Sequence, residues 1–212
     1  MKLPLILSAI LLATAACGEE KNAEIVLFDG KSLDDWQVVD AGGSGKVEVR
    51  DGQLIIGAGE SITGAIYKHT GKIPTTNYEI TLEAQRLDGD DFFCGLTFPV
   101  GDLKTCATLI CGGWGGAVTG ISCIDGLDAS ENATGHYRKW EDKKWHRLKL
   151  RVTPESIIVW ANDEKIIDVE IKGKKISLRS GPIEDYAPLS LTTYPTGAAI
   201  RSLVLKRLPD KN

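Results

Sequence analysis

Hydrophobic and polar residues alternate along most of the chain with a period of two. In "YEITLEAQRL", the apolar Ile80, Leu82 and Ala84 are separated by polar residues, and "WHRLKLRVT" repeats the pattern with Leu148 and Leu150. This period is typical of a strand with one face on a core and the other in water. No convincing helix is predicted anywhere in the chain.

Turn signals separate these alternating segments. Asp51-Gly52 and Asn162-Asp163 each stand between two apolar stretches, which predicts a β-hairpin at both places. About a dozen short strands with such turns between them predict an all-β sandwich of two antiparallel sheets. With neither an internal repeat nor a long linker, residues 24–208 are predicted to form one domain.

The first residues predict export. Met1 and Lys2 give a positive start, and an apolar run then leads to small residues before Cys17. The run is too short to span a bilayer and is typical of a signal peptide. The sequence "LATAAC" resembles a lipoprotein box, so we expect a signal peptide at 1–16, lipidation of Cys17 and a polar tether at 17–23. The alternative is plain secretion.

An exported bacterial lipoprotein of this kind would sit in the periplasm, at the outer membrane or on the cell surface, with its lipid anchor as the membrane partner. The 212 residues carry a net charge of -4. No basic patch that would bind nucleic acid is therefore expected.

Four cysteines follow Cys17 in the chain, and an oxidising compartment allows them to pair. A turn near 102–103 would place Cys94 opposite Cys111, and a turn at 114–115 would place Cys106 opposite Cys123. Directly opposed bridges need tight geometry, so buried free thiols are an equal alternative.

The stretch "CGGWGG" surrounds Trp114 with four glycines. Glycines permit a sharp reversal of the chain and the close approach of a ligand or another backbone. We expect this reversal to display Trp114, whose ring could lie over a sugar face. The alternative is a tight hairpin whose tryptophan only packs on the rim.

The segment after Cys123 concentrates polar side chains that could serve chemistry. They are Asp125, Asp128, Glu131, Asn132, His136 and Arg138. Histidine can act as a base near neutral pH, and arginine can hold an enolate or a hydroxyl. A calcium ion is a further interpretation of the acids, although the EF-hand spacing is absent. A solvated acidic loop is the simplest one.

Two further residues complete the candidate set. Asp91 is expected to start a strand and could point into the binding face. Lys104 is expected in a loop, where it could reach a ligand, although simple solvation is the favoured interpretation. Glu79 and Glu83 form E-x-T-x-E, which lacks the central acid of the strand-borne glucanase motif. A solvent-facing strand explains this pair better.

Several segments together resemble the 3-keto-disaccharide hydrolase domain family. The carriers are "IVLFDGKSLDDWQV", "VEVRDGQLIIGAGESITGAIY", "NYEITLEAQ", "WHRLKLRVTPESIIVWANDEKIID" and the closing "AAIRSLVLKRL". The resemblance covers most of 24–208 and implies a concanavalin-like jelly-roll β-sandwich. The middle, from "FFCGL" to "SENAT", departs from the family pattern and suggests a divergent branch with a rebuilt binding region.

The resemblance also implies an activity on 3-keto-glycosides. A ketone at C3 acidifies the proton at C2, so a base there, with donors at the enolate oxygen, can expel the group at C1. We assign the catalytic role to His136, Glu131, Asp125 and Arg138. We assign substrate binding to Trp114, Asp91, Asp128, Asn132 and Lys104. No cofactor or metal is assigned.

Two alternatives keep the sandwich but not the reaction. One is a non-catalytic carbohydrate-binding module that uses Trp114 and an acidic rim. The other is a structural or interaction lipoprotein. Because one fold hosts all of these functions, only the arrangement of the side chains can distinguish the enzyme from the binding module and the structural lipoprotein. We expect Trp114 and the segment after Cys123 to meet at one mouth of the sandwich.

Overall fold

The computed structural model describes residues 24–210, which form two antiparallel β-sheets packed face to face. The predicted signal peptide, Cys17 and the tether lie outside the described residues. The prediction of an all-β sandwich is confirmed. None of the helices within 24–210 has the length and hydropathy needed to cross a membrane.

The first sheet has eight strands in the order β13-β12-β11-β6-β15-β4-β3, and β1 also pairs with β15. Its strands are β1 (Glu24–Phe28), β3 (Val47–Arg50), β4 (Gln53–Ile56), β6 (Tyr78–Gly89), β11 (His146–Val152), β12 (Ser156–Ala161), β13 (Glu164–Glu170) and β15 (Thr196–Arg207). Both predicted hairpins are present, because β3 pairs β4 across Asp51-Gly52 and β12 pairs β13 across Asn162-Asp163.

The second sheet has seven strands in the order β10-β9-β8-β7-β14-β5-β2. They are β2 (Trp36–Val39), β5 (Thr63–Tyr67), β7 (Cys94–Val100), β8 (Asp102–Gly112), β9 (Val118–Ser122), β10 (His136–Tyr137) and β14 (Ser190–Thr193). Two short 3-10 turns, Thr70–Lys72 and Pro182–Tyr186, and a tight turn at Gly113–Gly116 complete the elements.

The core lies between the sheets and follows the predicted alternation. Leu82 and Leu150 of the first sheet and Leu96, Leu109 and Ile121 of the second are all buried within it. Because side chains alternate along a strand, the residues between them point to the outer faces. On the first sheet, that outer face carries the cross-strand ion pairs of Glu79 with Arg151 and of Glu83 with Arg201. These pairs favour the interpretation of E-x-T-x-E as a solvent-facing strand.

The four cysteines within 24–210 are all free and buried. Cys94 lies opposite Cys111, as predicted. The expectation for Cys106 and Cys123 was wrong, because the pairing of β8 with β9 ends at Thr108–Ser122 and leaves both residues beyond it. Burial raises the pKa of the Cys106 thiol to about 11, so this thiol is unreactive near neutral pH.

Candidate active site

A cleft of about 550 Å³ opens on the outer face of the seven-stranded sheet. Its floor is formed by Thr108 and Ile110 of β8 and Ser122 of β9. Its walls come from five loops and from the long segment 171–189 that crosses this face between β13 and β14. The wall residues are Glu60, Ser61, Ile62, Asp91, Phe92, Trp114, Asp128, Arg179, Ser180, Pro182, Ile183 and Tyr194.

The floor belongs to a row of hydroxyl groups. Ser190, Thr97, Thr108 and Ser122 are direct cross-strand partners on four neighbouring strands. They alternate with core residues, so the strand period alone places them together on the outer face. The Thr97 and Thr108 hydroxyls are 3.1 Å apart and hydrogen-bonded. Thr108 and Ser122 of this row give the cleft floor two hydroxyl groups beside Ile110.

The glycine-rich turn between β8 and β9 displays Trp114, as the sequence predicts. Gly112, Trp114, Gly115 and Gly116 all have positive φ, between 49° and 94°. A tryptophan at positive φ is unusual, and it leaves the indole 42% exposed at the cleft. The glycines make the reversal, and the reversal presents an aromatic face.

A buried arginine supports this turn from beneath. Arg86 is 6% exposed and donates a hydrogen bond of 3.1 Å from Nη2 to the carbonyl of Gly116. Its Nη1 pairs with Asp142 at 3.1 Å, and its guanidinium lies 5.3 Å from the centroid of the Phe93 ring. The space under the turn is full, because a Cβ at Gly112 would lie 2.5 Å from Arg86 Nη2.

Asp91 holds the same turn from the cleft side. Its Oδ1 accepts a hydrogen bond of 2.8 Å from the Phe92 N–H, and its Oδ2 accepts one of 3.2 Å from the Gly115 N–H. Among the described residues it has no ion-pair partner within 4.0 Å. Because both of these partners are neutral N–H groups, the half-buried carboxylate has spare acceptor sites for a ligand.

Two more rings line the wall next to Asp91. Phe92 and Tyr194 are stacked with centroids 6.1 Å apart and an interplanar angle of 27°. The N–H of Tyr194 donates to the carbonyl of Phe92 at 3.1 Å, which fixes the two loops together. With Trp114, the cleft therefore offers three aromatic side chains, the kind of lining that suits the apolar faces of a sugar.

Asp128 and Arg179 connect the sheet to the crossing segment 171–189. Asp128 Oδ1 accepts hydrogen bonds from the Ser122 hydroxyl and, at 2.7 Å, from the Ala129 N–H. Its Oδ2 lies 3.0 Å from Arg179 Nη1. The Arg179 guanidinium also lies 5.9 Å from the centroid of the Trp114 ring. Arg179 is thus a positive charge held at the mouth beside an aromatic ring.

The expectation that Trp114 and the segment after Cys123 meet is confirmed by Asp128 at the same cleft. Asp125, however, does not line it. Its carboxylate accepts from the Lys175 N–H at 2.8 Å and lies 3.2 Å from Lys174 Nζ, and both contacts lower its pKa. Asp125 fastens the start of the crossing segment to the loop after β9.

Other predicted residues of this segment also lie off the cleft lining. The Asn132 amide donates to the carbonyls of Ile121 and Leu127 at 2.7 and 3.1 Å, so it shapes the loop. Glu131 is exposed and accepts a weak hydrogen bond of 3.3 Å from the Asp128 N–H. These contacts position Asp128, and the catalytic role assigned to Glu131 stays a prediction.

His136, Arg138 and Lys104 lie elsewhere. His136 is on β10 with Nδ1 3.1 Å from the Thr134 carbonyl oxygen, and Arg138 pairs with Glu164 at 2.8 Å. Lys104 is exposed on β8, in a strand and not in the loop that was expected, because the turn comes earlier, at Gly101. The structure therefore brings Asp91, Trp114 and Asp128 together at the cleft. His136, Arg138 and Lys104 lie outside its lining.

The acids after Cys123 do not converge on a common point. Within residues 24–210, no group of three or more His, Cys, Asp or Glu side chains is arranged to hold a metal ion. The Asp125 carboxylate pairs with the Lys174 ammonium, and the Asp128 carboxylate pairs with the Arg179 guanidinium. Asp125 and Asp128 therefore each form an ion pair within the protein.

A family model described as the 3-keto-alpha-glucoside-1,2-lyase-like domain matches residues 23–185. The chain belongs to this family. The match begins at the first strand and includes the cleft floor, the glycine-rich turn and Arg179. A search of curated proteins gave no match.

Solved structures share the fold of this lyase-like domain. Domain 4 of AbnA, a GH43 extracellular arabinanase from Geobacillus stearothermophilus solved with arabinotriose, superposes with a TM-score of 0.56 at 14% identity, covering 89% of this chain and 94% of that one. Crh5 transglycosylase in complex with NAG gives a TM-score of 0.60 at 10% identity, covering 90% and 85%. At these identities the likeness establishes the jelly-roll fold.

Of the residues that line the cleft, the sequence singled out only Asp91, Trp114 and Asp128. Arg179, Phe92, Tyr194 and the floor hydroxyls were not singled out. Two signals could have found them. The stretch 171–189 is a long connection without strand periodicity, and such loops are usually functional. The hydroxyls at 97, 108 and 122 fall on the outward positions of strands whose other face is core.

Proposed function

We propose that the cleft on the seven-stranded sheet binds a glycoside and cleaves 3-keto-glycosides by removing the proton at C2. One observation carries the proposal: the cleft combines an exposed indole, a carboxylate without an ion-pair partner and an arginine in a domain of this family. Those are the groups that sugar binding, proton abstraction and enolate stabilisation require.

The reaction starts with a base that takes the C2 proton next to the C3 ketone. The electrons form an enolate and then expel the group at C1 as the C1–O bond breaks and its oxygen takes up a proton from water, which leaves an enone. Water adds at C1 and a proton returns to C2, so the sum is hydrolysis. This route differs from that of glycosidases with two carboxylates at the anomeric carbon.

Asp91 is the base in this proposal. Its two backbone hydrogen bonds orient the carboxylate without neutralising it, and the adjoining Trp114 would hold the sugar ring against it. The Asp128 carboxylate is less suited, because it already accepts from Ser122 and Ala129 and pairs with Arg179.

Arg179 is the group that would stabilise the enolate. Its side chain is 62% exposed at the mouth, whereas that of its partner Asp128 is 13% exposed. Asp128 therefore fixes the position of the Arg179 guanidinium, which a substrate oxygen can reach. His136, the base expected from sequence, lies outside the cleft lining, so the proposal gives the proton transfer to Asp91.

The test is aglycone release from a 3-keto-glucoside by the purified protein. Asp91→Asn keeps the size of the side chain and should lower kcat by about 100-fold or more, the range for loss of a general base. Asp51→Asn, in the exposed β3–β4 turn, is the matched control and should keep wild-type activity. Equal activity of Asp91→Asn and the wild type would remove Asp91 from the mechanism.

A carbohydrate-binding function without catalysis is the second candidate. It is favoured by the aromatic lining of Trp114, Phe92 and Tyr194, which needs no base to bind a sugar. Saturable binding of a glycoside, unaffected by Asp91→Asn and without release of product from any 3-keto-glycoside, would establish this function in place of the first.

We also propose that the protein works outside the cytoplasm as a lipoprotein, because Met1–Cys17 has the features of a signal peptide followed by a lipidation site. The test is fractionation of cells that express the full chain. Wild-type protein should be found in the membrane fraction and should carry lipid on Cys17. Cys17→Ala should remove both properties, and a wild-type protein without lipid would contradict the proposal.

A further inference from the structure

A second cavity of about 380 Å³ lies on the other side of the glycine-rich turn. It is lined by Arg86, Gly89, Asp90, Gly115, Gly116, Ala117, Tyr137, Arg138, Lys139, Trp140 and Asp142. None of these residues lines the first cleft. The cavity is therefore a separate feature, and the function proposed above does not use it.

The two cavities share one wall. Trp114 lines the first cleft, and the next two residues, Gly115 and Gly116, line the second. In the same way Asp91 lines the first and its neighbour Asp90 lines the second. A single ridge, made by the glycine-rich turn and the loop after β6, thus separates two open depressions. Gly115 has no heavy atom within 4 Å of where a Cβ would stand, so the top of the ridge is open.

The second cavity offers groups that suit a sugar. Tyr137 is 87% exposed, which is unusual for so large a ring. The Arg138 guanidinium lies 5.1 Å from the centroid of the Trp140 ring and is fixed by Glu164. Lys139 is exposed beside them. An aromatic face with several N–H donors can stack on one sugar and bind its hydroxyls.

We propose that the second cavity binds the leaving group of the reaction, the second sugar of a 3-keto-disaccharide, while the first cleft holds the 3-keto sugar. The inference rests on the proposed function, since it uses the same cleavage. A disaccharide with its 3-keto ring on Trp114 would cross the ridge at Gly115, so its glycosidic bond would lie there. The Gly115 N–H donates to Asp91 Oδ2, so the bond to be broken comes next to the proposed base.

The test compares two substrates with the same 3-keto ring: a 3-keto-disaccharide and the methyl 3-keto-glucoside. Tyr137→Ala should raise KM for the disaccharide roughly 3- to 10-fold, the effect of losing one stacking ring. KM for the methyl glycoside should stay unchanged. Tyr137→Phe retains the ring and should behave as wild type.

Binding of the same two ligands to Asp91→Asn, measured by calorimetry, separates this inference from the proposed function. If the wild type releases no product but binds the disaccharide more tightly than the methyl glycoside, and Tyr137→Ala removes that difference, the subsite stands and the catalysis fails. If product is released and Tyr137→Ala changes KM equally for both substrates, or for neither, the subsite is overturned and the catalysis stands. If no binding and no release occur, both are overturned.

Discussion

Arg179 and Asp128 form an ion pair of 3.0 Å between Nη1 and Oδ2. The pair joins the crossing segment 171–189 to the loop after β9 and holds a guanidinium beside Trp114. The acid is nearly buried and is hydrogen-bonded to the floor residue Ser122. The sheet, the segment that covers it and the aromatic ridge therefore meet at this pair, which sets the shape of the cleft mouth.

Arg179→Ala should lower kcat on a 3-keto-glucoside by about 10²- to 10³-fold, because removing one donor to a developing oxyanion has that effect. Its cost in the free energy of unfolding should be about 1–3 kcal/mol, because the Asp128 side chain is only 13% exposed and loses its cation. Arg147→Ala, which breaks the exposed pair with Asp163 on the other sheet, is the control. A large loss of stability without a change in kcat would contradict the assigned role.

Trp114→Ala should weaken glycoside binding roughly 3- to 10-fold, because a stacked ring contributes about 0.5–1.5 kcal/mol beyond its buried area. Trp114→Phe should retain most of the affinity. Trp160→Ala removes an indole from the outer face of the other sheet, where Lys149 Nζ lies 4.2 Å from the ring centroid, and should bind as wild type. Calorimetry measures all three, and equal affinities would exclude Trp114 from the site.

Gly112→Ala should destabilise the fold more than Gly126→Ala. The two glycines have nearly the same φ, 78° and 77°, so the backbone penalty of about 1 kcal/mol is shared. At Gly112 a Cβ also meets Arg86 Nη2 at 2.5 Å and the Gly116 carbonyl at 3.2 Å, whereas Gly126 faces open space. Chemical denaturation gives the difference. If the two variants lose the same stability, Arg86 does not fill the space under the turn.

His146 should make the fold less stable as the pH falls below about 6.5. Burial lowers its pKa from the ordinary value of 6.5, with partial opposition from the hydrogen bond to the Glu141 carbonyl. The unfolded chain then takes up a proton more readily than the folded protein, so the free energy of unfolding is unaffected above the unfolded pKa and decreases below it. The carboxylates with lowered pKa, such as Asp125, act nearer pH 4.

The measurement is the free energy of unfolding between pH 5 and 7 for the wild type and His146→Gln. The variant itself changes the core, so its stability at pH 7 is not the readout. The expected result is a smaller slope with pH in the variant over this window. Equal slopes would show that His146 is not responsible for the acid sensitivity.

The sheets could be predicted from sequence because strand alternation and turn chemistry are local. Ile80, Leu82 and Ala84 define a face without reference to any other strand, and Asp51-Gly52 defines a turn in two residues. Short strands carry less of this signal, which is why Trp36–Val39 and His136–Tyr137 were not found. The turn that displays Trp114 was predictable because the four glycines around it can readily adopt the positive φ angles of a sharp reversal.

The cleft was harder to predict because it depends on contacts between distant segments. Asp128 meets Arg179 only because the segment 171–189 crosses the seven-stranded sheet, and no local pattern states where a long loop lies. In the sequence, His136 and Asp125 are as good candidates for the site as Asp128, because all three are titratable residues that follow Cys123. Their partners, the Thr134 carbonyl and the lysines at 174 and 175, are what set them apart.

The central claim is that cleavage proceeds through loss of the C2 proton to Asp91, and isotope incorporation tests it most directly. The 3-keto-glucoside is cleaved in D2O, and NMR measures deuterium at C2 of the released 3-keto sugar, with the same sugar incubated alone as the control for spontaneous exchange. The account predicts deuterium at C2 during turnover by the wild type, and turnover and deuterium incorporation both slower by about 100-fold or more with Asp91→Asn. Cleavage that leaves the original hydrogen at C2 would contradict it.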